Sequence, residues 1–290
     1  MNPHFTLLGV DTPLFAFSMV PFVLVIAAGL LYGRACSVLE GRGRRIGWGQ
    51  RACYYAGLAL ILIATETFID PVGEHSLLSA HMLQHLLIAD LPAPLLLIGI
   101  RAPLLYFFWP APVLKSVARM RPLRAFWAWL RRPPVALGVW LLTLYVWHVP
   151  MFYEAALNHR IVHDLEHLTF TLTGVLAYWP LLDPTHHRVE GRVWKAGYVF
   201  IARIIGGVMG ILITVWPSQI YHFYGSRAHA YGMSILTDQR IAGGMMMMVD
   251  SAVVLIGVTY FLVTTERGRE HDDDMPESAR AAYLERDAAR

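Results

Sequence analysis

Two short runs, HMLQH at 81–85 and HDLEH at 163–167, carry the residues best suited to chemistry in this chain. In each, two histidines stand four positions apart, so on a helix they share one face. Gln84 fills the slot before the second histidine in one run, and Glu166 fills it in the other. Neutral imidazole nitrogens bind copper, zinc and iron. A His-x-x-x-His turn can bring two of them to one ion. Gln84 and Glu166 are then placed to orient the rings from behind. Met245 and Met246, in the run Met245–Met248, offer thioethers, which favour Cu(I). The chain has no Cys-x-x-Cys motif; its two cysteines are Cys36 and Cys53. Copper therefore fits the donor set best. Zinc is an alternative, since three histidines and an acid suit a hydrolytic site with Asp238 or Glu166 as base. Haem is another, with axial histidines from two different helices.

These residues must be positioned by membrane helices. The chain is 56% hydrophobic and only 16% charged, against about 25% charged residues in soluble proteins. Long apolar runs alternate with charged breaks, which predicts an all-α polytopic bundle embedded in a lipid bilayer. Seven spans are expected: about 14–32, 52–69, 77–99, 135–150, 161–182, 196–216 and 241–264. They form one domain over 1–264, followed by a charged tail over 265–290 in which Pro276 starts a short helix. The N-terminus has no basic residue before Arg34, so no cleaved leader is expected. No phosphate-binding loop or nucleic-acid module is present.

Charge placement orients the bundle. Arg34, Arg42, Arg44, Arg45 and Arg51 lie in the first loop, and Arg101, Lys115, Arg119, Arg121, Arg124, Arg131 and Arg132 in the third. Arg188, Arg192 and Lys195 lie in the fifth, while the alternate loops hold only Arg160, Arg227 and Arg240. The N-terminus is thus expected outside and the C-terminus in the cytoplasm. The long third loop mixes Trp109, Trp127 and Trp129 with basic residues, as interfacial helices do.

Depth then gathers the candidates at one level. Spans three and five run in the same direction, with His81 and His85 about 6 and 12 Å from the outer end and His163 and His167 about 3 and 9 Å from it. His148, Glu66, Asp238 and Gln239 lie at the outer ends of their spans, and His222 and His229 lie in an outer loop. His186 and His187 sit in a cytoplasmic loop and read as surface residues. Lower down, Arg203 and Asp90 share a depth of ~10–13 Å above the inner boundary, with Asp250 at mid-depth. Unpaired charges there cost at least ~2.5–3.5 kcal/mol, so Arg203 is expected to pair with Asp90 or Asp250.

Taken together, HMLQH, WHVPMFYEAAL, HDLEH and DQRIAGGMMM resemble the polytopic CtaG family of cytochrome c oxidase assembly factors. The likeness runs from the second span to the seventh; the first segment and the tail have no counterpart. The resemblance implies a plasma-membrane protein that helps to assemble a haem–copper oxidase, not an enzyme. Its partner would be an oxidase subunit, and copper delivery is the usual inference. The positions that match the motifs are His81, His85, His148, His163, His167, Asp238 and Gln239.

Overall fold

The computed structural model describes residues 4–109, 111–184 and 193–273. The chain is an all-α polytopic bundle with one small addition that helical patterning did not reveal. Strands β1 (His4–Leu7) and β2 (Val10–Pro13) form an antiparallel hairpin at the N-terminus. Its two-residue turn, Leu8-Gly9, has φ of 48° and 89°, the pair of positive angles that tight hairpins require. After it the chain stays extended, with Phe15 bridged to Thr67. That is why the first helix, α1 (Met19–Glu40), starts later than the apolar run does.

Helix α2 (Trp48–Glu66) packs on α1 through Tyr54, stacked on Tyr32 at 3.8 Å between ring centroids. A short helix, α3 (Ile69–His75), follows where a loop was expected. The third apolar run is built in three pieces: α4 (Leu78–His85), a π-helical segment (Leu86–Asp90) and α5 (Pro92–Gly99). Pro92 and Pro94 have no N–H to donate. The helix widens ahead of them, and Leu91 N–H bonds the Leu86 carbonyl five residues back. Helices α6 (Leu104–Phe108), α7 (Ala111–Arg119) and α8 (Arg121–Leu130) make up the basic, tryptophan-bearing connection. Helix α9 (Pro133–Trp147) turns by 72° into α10 (Pro150–Asn158), with Pro150 opening the second helix.

Helices α11 (Arg160–Leu182), α12 (Val193–Val215) and α13 (Ile235–Asp273) complete the bundle. Helix α13 begins before the expected 241 and runs past 264; the rest of the tail, like His186 and His187, lies outside the described residues. Helices α12 and α13 cross at Gly210 and Gly243, where a Cβ on Gly243 would come within 2.4 Å of the Gly210 carbonyl oxygen. Small residues at such crossings let membrane helices approach closely. Among the described residues, four helical segments are long and apolar enough to span a bilayer: Met19–Glu40, Leu78–Gly99, Val193–Val215 and Ile235–Val263. The bent pair α9–α10 makes a fifth if counted as one span.

Farther along the bundle from the histidines, Arg203 on α12 ties the π-helical segment, α13 and α11 to its own helix. Its Nη1 donates to Asp90 Oδ1 at 2.5 Å and to Asp250 Oδ1 at 2.9 Å, and Nη2 donates to Tyr178 Oη at 2.6 Å. The guanidinium also lies 5.0 Å from the centre of the Trp140 ring. Arg203 thus engages both acids, because each offers an oxygen to the same nitrogen. Removing the cation alone strands two largely buried carboxylates, 15% and 14% exposed, which typically costs up to ~3–5 kcal/mol. Arg203→Met should therefore lower the thermal midpoint in detergent more than the triple change Arg203→Met, Asp90→Asn, Asp250→Asn. Equal losses for the two proteins would show that the ion pairs do not hold the helices.

Candidate metal centre

The geometry of the site begins at the N-terminus of α4, whose first amide groups have no partner within the helix. Asp238, on α13, supplies one: its carboxylate accepts Leu78 N–H at 2.7 Å and Ser79 N–H at 3.1 Å. An anion is favoured there by the helix dipole as well. Helix α3 closes on α4 from the other side. A Cβ on Gly73 would lie 2.9 Å from the His81 Cα, so only glycine admits this approach. On α11, Gly174 does the same against the π segment, where a Cβ would fall 2.7 Å from the Ala89 carbonyl oxygen. With α4 and α11 fixed in this way, their histidine faces meet.

His81, His163, Glu166 and His167 each offer a ligand atom, and these atoms all lie within 4.8 Å of one another. All four residues are buried. Ring centroids are 5.4 Å apart for His81 and His163, and 6.2 Å for His81 and His167. Glu166 sits between the pairs, 3.7 Å from His81 Nε2 and 3.6 Å from His85 Nε2. It is thus a member of the group rather than a support behind it. His85 and His148 flank the group, their rings 6.3 Å apart. His148 Nδ1 donates to the Leu144 carbonyl at 2.7 Å, which leaves the lone pair on Nε2. The Nε2 atoms of His81, His85, His148, His163 and His167 and both oxygens of Glu166 are buried without a hydrogen-bond partner. Such groups normally cost about 1–3 kcal/mol each. A cation is the ligand that satisfies unpaired imidazole nitrogens and a carboxylate together.

Aromatic residues roof the cluster. The Tyr153 ring on α10 lies 5.0 Å from His81 and stacks on Tyr221 at 3.9 Å. The Tyr153 hydroxyl meets that of Tyr224 at 2.9 Å, Tyr224 bonds the Gly73 carbonyl, and Tyr221 bonds the His148 carbonyl. Two of the three tyrosines come from the loop between α12 and α13, which sequence patterning left without a role. Toward Asp90, a cavity of about 30 Å³ is lined by His85, His148, Met246 and Asp90, among others.

Sequence reasoning missed two acids. Asp70 and Glu74, on the unexpected helix α3, form a second group with His163 whose ligand atoms also lie within 4.8 Å of one another. Glu74 Oε1 is 2.8 Å from His163 Nδ1. Asp70 Oδ1 accepts Gln84 Nε2–H at 2.6 Å, and the same amide nitrogen donates to the Ala64 carbonyl. Gln84 therefore serves Asp70 rather than the histidine rings. The available signal was the spacing of Asp70 and Glu74, which repeats that of the histidine pairs.

Other candidates have different employment. Asp238 caps α4, as described. Gln239 accepts Ile220 N–H at 3.0 Å and donates to the carbonyls of Ile213 and Ser218, which pins the roofing loop. Both are committed to backbone groups and neither joins the cluster. Met246 reaches the cavity wall, whereas Met245 packs against the apolar core. His222 and His229 are exposed, and Glu66 accepts the Ser18 N–H at 3.0 Å.

Burial, reinforced by the charge of Glu74, pushes the Asp70 carboxyl up to about 6. Burial also opposes the charge on Glu74, but its hydrogen bond to His163 and the charges of His163 and Arg160 hold it below its ordinary value. The raised Asp70 carboxyl binds its proton more tightly in the fold, so the stability this adds is complete below its unfolded value of about 3.9. It is lost as pH rises through about 6. The thermal midpoint of Asp70→Asn minus that of wild type should therefore increase over this interval, and a constant difference would refute the assignment. The unpaired rings make a further prediction. His85→Leu should change the metal-free thermal midpoint by the equivalent of less than about 1 kcal/mol or raise it, because an unpartnered polar group is replaced by an apolar one. A large loss would mean that the His85 ring nitrogens are satisfied.

No curated protein and no solved structure matches the chain. The family model for the cytochrome c oxidase caa3 assembly factor matches residues 30–267, most of the sequence. The chain belongs to the cytochrome c oxidase caa3 assembly factor family.

Proposed function

We propose that this membrane assembly factor binds copper in the buried histidine cluster and passes it to a subunit of the oxidase. The observation that carries the reading is the convergence of His81, His163, Glu166 and His167, with their donor atoms within 4.8 Å and shut away from water. Three imidazoles and one carboxylate from two helices would hold the ion. His85 and His148 stand next to them along the inner cavity, as successive ligands on the way out. The Met246 thioether, lining the same cavity, adds a donor that suits Cu(I). A void of about 30 Å³ has room for roughly one water, which favours a single ion over a porphyrin or a lipid substrate.

The topology belongs to the same reading. We take α2 and α11 as spans in addition to the more apolar helices, which gives seven with the N-terminus outside. The basic helices α6, α7 and α8 follow the far end of α5 from the histidines, as a cytoplasmic face requires. The cluster then lies in the extracytoplasmic half of the bundle in the plasma membrane.

The test is retention. The purified full chain, loaded with a copper salt and washed in detergent, should hold about one equivalent by elemental analysis and show no Soret band. His81→Ala/His163→Ala should lose it. Equal retention by the two proteins would remove copper binding at this cluster. Because neutral imidazole is the ligand, affinity should fall as pH drops below about 6.5. Affinity constant across that range would point to other donors.

A further inference from the structure

His163 belongs to two groups of candidate ligands, one sealed in the bundle and one reaching its surface. The second comprises Asp70, Glu74 and His163. Its members differ in access: Asp70 and His163 are buried, while the Glu74 side chain is 14% exposed. An unpartnered, fully buried atom also borders it, since Gln84 holds Asp70 through Nε2 while its Oε1 has no hydrogen bond. The His163 Nε2 is likewise unpartnered. Its other ring nitrogen, Nδ1, lies 2.8 Å from Glu74 Oε1.

A cation already stands at this place. Arg160 Nη1 lies 3.4 Å from Glu74 Oε1, Nε lies 3.5 Å from Asp164 Oδ1, and Nη2 bonds the Ser18 hydroxyl. Ser18 in turn donates to Asp70 Oδ2 at 3.4 Å. The Arg160 side chain is 47% exposed and carried on the first turn of α11, so it can swing to solvent. It is a tethered charge, placed where an entering ion would land.

We propose that Asp70, Glu74 and His163 form an outer cation site that loads the buried cluster, with Arg160 holding the site until a metal ion displaces it. This rests on the copper reading above and adds its route of entry. Two carboxylates and one imidazole suit a divalent first-row ion. No electron moves in the step: the divalent ion brings two positive charges as the guanidinium takes one away, and the ion exchanges carboxylate oxygens for imidazole nitrogens as it passes inward. His163 is the residue that both sites share, so the transfer needs no intervening ligand.

Stopped-flow quenching of intrinsic fluorescence by cupric ion, added to the full chain in detergent, measures loading. Elemental analysis after washing measures the final content. Glu74→Gln and Asp70→Asn keep an acceptor oxygen and remove the charge, and each should slow loading about tenfold with final content unchanged. Arg160→Gln should speed it severalfold. Asp11→Asn removes an exposed charge from the N-terminal hairpin and should load at the wild-type rate. Wild-type loading rates for Glu74→Gln and Asp70→Asn would overturn the outer site. So would reduced final content at an unchanged rate, which would make them ligands of the final site, or equal slowing by Asp11→Asn, which would make the effect general attraction. If the wild type itself retains no copper, the copper reading falls and takes this one with it.

Discussion

A bilayer interior offers no water to a buried polar group, so the protein must supply every partner. This bundle meets the constraint at several levels. Arg203 neutralises Asp90 and Asp250 together. Asp238 satisfies the open amides of α4, and Gln239 satisfies carbonyls at the end of α12 and in the loop that follows it. Among the described residues, the buried side-chain atoms left without a hydrogen bond belong to the histidine cluster, to Gln84 beside it, or to Arg51 and Trp179. Most of these atoms fall in one cluster, so the cost in stability is concentrated there. Such concentrated local cost is the usual mark of a functional site.

The two polar levels are joined by the π-helical segment. His85 precedes Leu86–Asp90 directly, and Asp90 is its last residue. The extra residue in each turn rotates Asp90 relative to His85 away from the α-helical register. One side chain can then face Glu166 while the other faces Arg203. The small cavity lined by both residues lies between them. The prolines after the segment are what make the widening favourable, so Pro92 and Pro94 act on the site without touching it.

Much of this was legible in the sequence because membrane helices obey simple rules. Apolar length gave the helices, and four-residue spacing gave the histidine faces. Counting rise per residue placed His81 opposite His163, and Arg203 level with Asp90. What stayed hidden depended on tertiary partners. Asp238 and Gln239 stand at the right depth and next to the right motif, but depth does not say which way a side chain points or what backbone waits for it. Asp70 and Glu74 lay between two spans, in a stretch too short and too polar to read as a helix. Tyr221 and Tyr224 looked like loop aromatics, because nothing local shows that the loop folds inward over α4. The hairpin at the N-terminus needed two positive φ angles, one of them at Leu8, a residue that does not advertise a turn.

The close glycine contacts hold the shape of the site. Imidazoles and a carboxylate that lack partners would relax apart if their helices could slide. Gly73 against His81 and Gly174 against Ala89 bring backbones together on both sides of the cluster, and Asp238 fixes the start of α4 along its axis. The tyrosine stack adds a third wall whose hydroxyls are tied to backbone carbonyls. Where these contacts reach a candidate ligand, His81 or His148, they use its backbone and not its ring nitrogens. The scaffold therefore holds the histidines at ligand distance independently of what they bind, which would lower the reorganisation needed if a metal enters and leaves. A carrier needs that property more than a storage site does. An ion held by a cluster that does not collapse behind it can leave without unfolding the protein around it.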